Sequence, residues 1–180
     1  MRVGGAAIIG AAALLATGLG AARPAWRWPA LPAGVAAPAI PSDNGMSAAK
    51  VALGRRLFYD RTLSADGSMA CADCHQQEKG FADGLATHRG VMGEMGVRNV
   101  PGLANVAWRS GLTWTEAGLS TLEQQAMVPM TGTKPVEMGL AQDDVGLARR
   151  IGADPCYRRM FAAAFPDAPD DLGFARVTAA

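Results

Sequence analysis

The stretch Cys71-Ala72-Asp73-Cys74-His75 combines two thiols and an imidazole within a single helical turn. At that spacing the two sulfurs lie on one side of the turn, and the next residue can fold its ring back beneath a flat ligand. The chemistry this suits is covalent haem attachment: each thiol adds to a vinyl group, and His75 turns to the iron as proximal ligand. Two of the chain's three cysteines and one of its two histidines are spent here. A thioredoxin-like redox pair and half of a zinc site are the competing readings. The redox pair sits on a βαβ pattern that this sequence lacks, and zinc needs a second Cys/His pair, which is also missing. A histidine directly after the second cysteine separates the haem motif from both.

The elements that must position this motif can be read on either side of it. An amphipathic helix is expected over residues 47–59, with Ser47 as N-cap and Val51, Leu53, Leu57 and Phe58 as its apolar stripe, leaving Arg55 and Arg56 on the other side. Residues 60–67 carry turn chemistry, and Ser68 is placed to cap the short helix bearing the two cysteines. After His75, glycines at 80, 84, 90, 93 and 96 break up the chain, so a long loop is expected. Few aromatics, abundant Ala and Gly, and no long β-branched runs point to an all-α fold.

A chain of 180 residues, about half hydrophobic, can bury one cored domain and still carry appendages. Its net charge of +1 gives no sign of a nucleic-acid partner. In residues 1–22, Arg2 precedes an apolar, Ala-rich run ending in Gly20-Ala21-Ala22, the pattern of a cleavable signal peptide. An uncleaved membrane anchor is the alternative, because the run is nearly long enough to span a bilayer. Either way the domain faces the periplasm, the side on which bacteria attach c-type haem. Residues 23–46 contain Pro24, Pro29, Pro32, Pro38 and Pro41 and read as a linker, so the folded domain occupies residues 47–180. Cys156 reads as a packed, inert thiol.

In order along the chain stand Leu53-Gly54-Arg55-Arg56-Leu57-Phe58-Tyr59-Asp60, Leu63-Ser64 with Asp66-Gly67, the haem motif, and Lys79-Gly80-Phe81-Ala82-Asp83-Gly84. Arg98-Asn99-Val100-Pro101, Trp114, Leu122-Glu123-Gln124-Gln125-Ala126 and Pro135-Val136-Glu137-Met138-Gly139 follow. A haem motif alone is common to all c-type cytochromes, but this succession resembles the bacterial di-haem cytochrome c peroxidases together with the MauG-type enzymes. The resemblance covers residues 50–180 and implies an all-α, cytochrome c-like haem domain with long loops. Family members have two haem domains, each with its own Cys-x-x-Cys-His, and this chain carries the first. Residues 174–180 contain no Gly, Asn or Pro to stop a helix, so an N-terminal portion of a longer protein is expected.

The resemblance also implies roles. Haem c would be held by Cys71 and Cys74, with His75 on the iron and a backbone carbonyl fixing its ring. Glu137 matches the distal-pocket glutamate that moves a proton between peroxide oxygens. Without the family it would be one of sixteen acidic residues and a solvated surface group by default. Gln125 and Pro129, four residues apart, match the glutamine and proline lining the same pocket. Residues 130–134 are about two residues longer than the family pattern, so Glu137 reaches the pocket if they bulge outward. Trp114 corresponds to the tryptophan between the two haems, an electron relay, although its usual Asp-Gly-Arg is replaced by Thr115-Glu116-Ala117. Asn99 matches the asparagine of an interdomain calcium site whose other ligands belong to the second domain. Counting back from Asn99, the position of a distal histidine is Val91; His88 lies earlier, and Met92 and Met95 are thioether candidates.

The leading expectation is therefore the peroxide-reacting domain of a periplasmic enzyme. Its partners are hydrogen peroxide, a second haem domain, and a small redox donor or a protein substrate. The alternative is a one-haem electron carrier, which needs a firm sixth ligand instead of an open site.

Overall fold

The computed structural model describes residues 26–115, 118–141 and 143–180, so the expected signal peptide lies outside the described residues. Among the described residues six α-helices build an all-α fold: α1 (Ala48–Phe58), α2 (Cys71–Cys74), α3 (Leu122–Thr131), α4 (Asp144–Gly152), α5 (Pro155–Ala164) and α6 (Phe174–Thr178). Three short 3₁₀ turns and two isolated β-bridges accompany them among the described residues.

Helix α1 starts where its cap predicts, with the Lys50 N–H donating to Ser47 Oγ at 3.1 Å. Leu53 and Leu57 from its stripe are buried. They meet Leu147 and Ile151 of α4 and Tyr157 and Phe161 of α5, whose own N-termini are capped by Asp143 and Asp154. Spacing at i and i+4 puts each of these pairs on one helix face, which is how three amphipathic helices close a single core. Helix α6 and the buried residues Met130, Met138 and Leu140 complete it.

One local expectation is corrected, and one residue gains partners that spacing does not report. The Arg56 guanidinium binds Asp154 at 2.5 Å and lies 4.2 Å from the Tyr157 ring centroid. The core around Tyr157 thus extends past the apolar stripe under a stacked cation. Ser68 does not cap α2; the N-cap is Ala70, whose N–H donates to Asp73 Oδ2 at 2.8 Å. A carboxylate at the third helical position reaches back to the free amide, while the Ser68 N–H is drawn into a turn with Asp66.

The turn before α2 is bolted to α5. Asp60 accepts from the Thr62 N–H at 2.7 Å and from the Tyr157 hydroxyl. Between α2 and α3 the described residues form no regular helix beyond 3₁₀ turns at Gln77–Lys79 and Val106–Trp108, so the expected long loop is present. Residues 26–46 carry no helix, yet they are tied to the domain. The Trp108 indole N–H donates to the Ala36 carbonyl at 2.9 Å, and the Asn44 amide bridges Glu123 and the Ala179 carbonyl. Among the described residues no helix is long and apolar enough to cross a membrane.

Candidate haem site

Cys71 and Cys74 occupy the two ends of α2, both half-buried and both free thiols, and His75 is its C-cap. The His75 N–H donates to the Cys71 carbonyl at 2.9 Å, which folds the imidazole against the same turn. Its Nδ1 lies 2.9 Å from the Phe81 carbonyl, so Nδ1 carries the proton and Nε2 is left as the nitrogen for an iron. Burial holds His75 below the usual imidazole range, against the pull of the Phe81 and Pro101 carbonyls, and favours the neutral form that ligates metals.

Presenting that carbonyl strains the chain. Phe81 has φ of +62°, a left-handed conformation that costs a bulky residue roughly 1–3 kcal/mol. The surroundings hold it there: the Phe81 N–H donates to the Gln76 carbonyl at 2.8 Å, the Gln76 N–H donates to the Ala82 carbonyl at 3.0 Å, and the ring packs edge-on against Phe58. Burial, reinforced by the Glu137, Asp83 and Asp73 carboxylates, pushes the Cys74 thiol up to about 12, and burial raises Cys71 as well. Paired thiols on one turn beside a neutral imidazole with a fixed tautomer fit a c-type haem.

Glu137 follows the turn after α3. The Met138 N–H donates to the Pro129 carbonyl at 2.9 Å and the Leu140 N–H to the Met130 carbonyl at 3.0 Å, so the intervening residues loop out from a closed neck. Glu137 itself is exposed, and its carboxylate is electrostatically coupled to Cys74 and His88. Surrounding protein raises its carboxyl above the ordinary glutamate value by desolvation, while the His88 imidazole pulls it down. On its other side the Val91 N–H donates to the Glu137 carbonyl at 2.7 Å. Gly90 permits that approach, because a Cβ there would stand 1.9 Å from the Val136 oxygen and 3.0 Å from the Glu137 Cα. Gly90→Ala is therefore expected to lift residues 88–97 away from Glu137. Hydrogen–deuterium exchange at the Val91 amide should accelerate about three- to tenfold, the scale of one net hydrogen bond; unchanged protection would mean that the loop absorbs the methyl group.

Gln125 and Pro129 are both half-buried, one turn apart on α3. Proline has no N–H to give the Gln125 carbonyl, so this turn of α3 lacks a backbone bond. Trp114 is exposed, and its indole N–H donates to the Asn99 carbonyl at 2.9 Å. The structure thus joins these two residues directly, although Glu116 and Ala117 lie outside the described residues. Asn99 is exposed, and among the described residues no three His, Cys, Asp or Glu side chains gather to hold a metal ion. Met92 and Met95 are exposed on the loop. His88 is not a free surface histidine: its Nδ1 meets the buried carboxylate of Asp83 at 2.8 Å. Sequence reasoning missed Asp83, and the only signal available was a carboxylate five residues before a histidine in a Gly-rich loop.

The fold and this site place the chain in a known class. The family model for di-haem cytochrome c peroxidase matches residues 48–180, and the chain belongs to that family. It is 37% identical over 140 residues to the methylamine utilization protein MauG of Methylorubrum extorquens, covering 78% of this chain and 38% of that protein. It is 44% identical over 87 residues to the cytochrome-c peroxidase IdrP1 of Pseudomonas sp. strain SCT, covering 48% and 23%. Among solved structures, a MauG-like protein associated with microbial copper homeostasis superposes with a TM-score of 0.82 at 44% identity, covering 86% of this chain and 44% of that one. The fold is therefore cytochrome c-like, and haem is the cofactor the family implies. The chain spans about two fifths of the length of the MauG relatives it matches.

Proposed function

We propose that this chain is the peroxide-reacting haem domain of a periplasmic di-haem peroxidase or MauG-type oxidoreductase. Cys71 and Cys74 hold haem c covalently and His75 binds the iron. A second haem domain, with a calcium ion at the interface to which Asn99 contributes, passes electrons that originate in a small redox protein or in a protein substrate. Haem supplies the centre at which peroxide binds and through which electrons pass. The Phe81 carbonyl keeps the His75 ring and tautomer fixed. Glu137 takes the proton from one peroxide oxygen and delivers it to the other, so that the departing oxygen leaves as water. Gln125 and Pro129 line the same pocket, and Trp114 relays electrons between the haems.

The observation that carries this reading is the siting of Glu137. Its main chain is clamped between Val91 and the neck of α3, and its carboxylate acts electrostatically on Cys74 of the haem motif. Val91 supplies no ligating side chain, and the exposed thioethers of Met92 and Met95 supply no firm one, which favours an open site over an electron carrier. The test is to mix the ferric, haem-loaded chain with peroxide in a stopped-flow spectrometer. A high-spin ferric spectrum that changes rapidly is expected, with covalent haem confirmed by mass; an inert low-spin form would instead mean a carrier. Steady turnover should be poor, because each peroxide needs two electrons. Turnover by this chain alone with a reduced cytochrome at the usual 1–1,000 per second, an order-of-magnitude range for enzymes, would remove the need for a second haem.

A further inference from the structure

Reducing one hydrogen peroxide to two waters consumes two electrons and two protons, and the protons must come from solvent. Glu137 only shifts a proton that the peroxide already carries. On the reading of the site given above, we propose that the Asp83–His88 pair is its proton inlet, passing protons between water and Glu137.

Four observations support the assignment. Asp83 is 2% exposed, and both of its oxygens are engaged: Oδ1 accepts from the Leu85 N–H at 2.9 Å, and Oδ2 accepts from His88 Nδ1 at 2.8 Å. A buried carboxylate bonded to one imidazole nitrogen fixes the ring's orientation. With Nδ1 committed, Nε2 is the nitrogen that gives and takes a proton. The His88 side chain is 25% exposed, so part of the ring reaches water.

The loop geometry carries the ring to the site. Two residues beyond His88, Gly90 packs against Val136 and Glu137, and Val91 is hydrogen-bonded to the Glu137 carbonyl. At its own position the His88 carbonyl accepts from the Gly96 N–H at 2.8 Å, closing the loop. The ionisable groups that act on or with His88 are Asp83 from its own loop, Glu137 from the segment after α3, and His75 from the end of α2. A structural clasp alone would not need an exposed ring edge on a loop that packs against the Glu137 segment.

The measurement is cyanide binding to the ferric, haem-loaded protein, because hydrogen cyanide must lose its proton on binding and that proton must leave the site. In His88→Gln the binding rate should fall roughly 10²-fold, the low end for an acid–base group. Raising the concentration of a non-ligating buffer at constant pH and ionic strength should restore it, whereas the parent protein should be indifferent to buffer. Asp83→Asn should shift the rate in the same direction by less. A parent rate in His88→Gln overturns the proposal, and so does a slow rate that buffer leaves untouched, which would mark a positional role only. The reading of the site is judged separately: if the parent protein itself fails to react with peroxide, that reading falls regardless of how His88 behaves.

Discussion

Glu137→Gln is expected to slow the reaction of the ferric protein with peroxide by roughly 10²–10⁴-fold, the range for removing an acid–base group. Glutamine keeps the shape and can still hydrogen-bond, so peroxide should bind and haem content should stay level. What is lost is the site that accepts a proton. The parent's pH profile offers a second check. Because its surroundings raise the Glu137 carboxyl, its accepting form appears only above the ordinary glutamate value of 4.5. Below its raised pKa the group is protonated and cannot accept, so the rate should climb as pH rises through that point, and the climb should vanish in the Gln variant. Stopped-flow mixing across pH measures both. Equal rates for parent and variant would make Glu137 a surface carboxylate and leave the proton to water or another residue.

What was legible in the sequence divides along the range of the interactions. Ser47 and the Leu53, Leu57 stripe specify α1 through contacts within a few residues, and such periodicity is visible without a structure. The glycines after His75 announce irregular chain by the same local logic. The Ser68 cap is overturned because Asp73 reaches back to cap α2, and the partner of Arg56, Asp154, lies nearly a hundred residues away. No spacing rule reports a pairing of that span.

The candidate site shows the same division. Thiols and imidazole are read directly from their spacing, whereas Glu137 was selected from sixteen acidic residues only by resemblance to a family. Its physical definition is non-local, resting on Pro129 and Met130 bonding to Met138 and Leu140 and on the Val91 amide. Phe81 is least predictable of all. A large aromatic in the left-handed region runs against its own preference, and only the need for a carbonyl at His75 and a ring at Phe58 accounts for it. Strain of that kind gathers where function overrides local propensity.

His75→Gly is expected to separate attachment from ligation. Cys71 and Cys74 remain on α2, so covalent haem should still be found by mass, while the protein-supplied nitrogen on the iron is gone. The ferric spectrum should lose its histidine signature and take on that of an iron bound by water or by an added base. Adding imidazole should then restore a histidine-like spectrum, since the deleted ring leaves space beneath the Phe81 carbonyl that held it. Recovery of peroxide reactivity should be partial at best, because a free imidazole rotates and dissociates where His75 is fixed by the Phe81 carbonyl and its own N–H to Cys71. Phe81 itself should relax as well. With its carbonyl no longer engaged, the left-handed turn loses part of what sustains it, and amide exchange at Phe81 and Ala82 should quicken. An unchanged ligand spectrum in the Gly variant would remove His75 from the iron, and with it the reason for a strained phenylalanine six residues later.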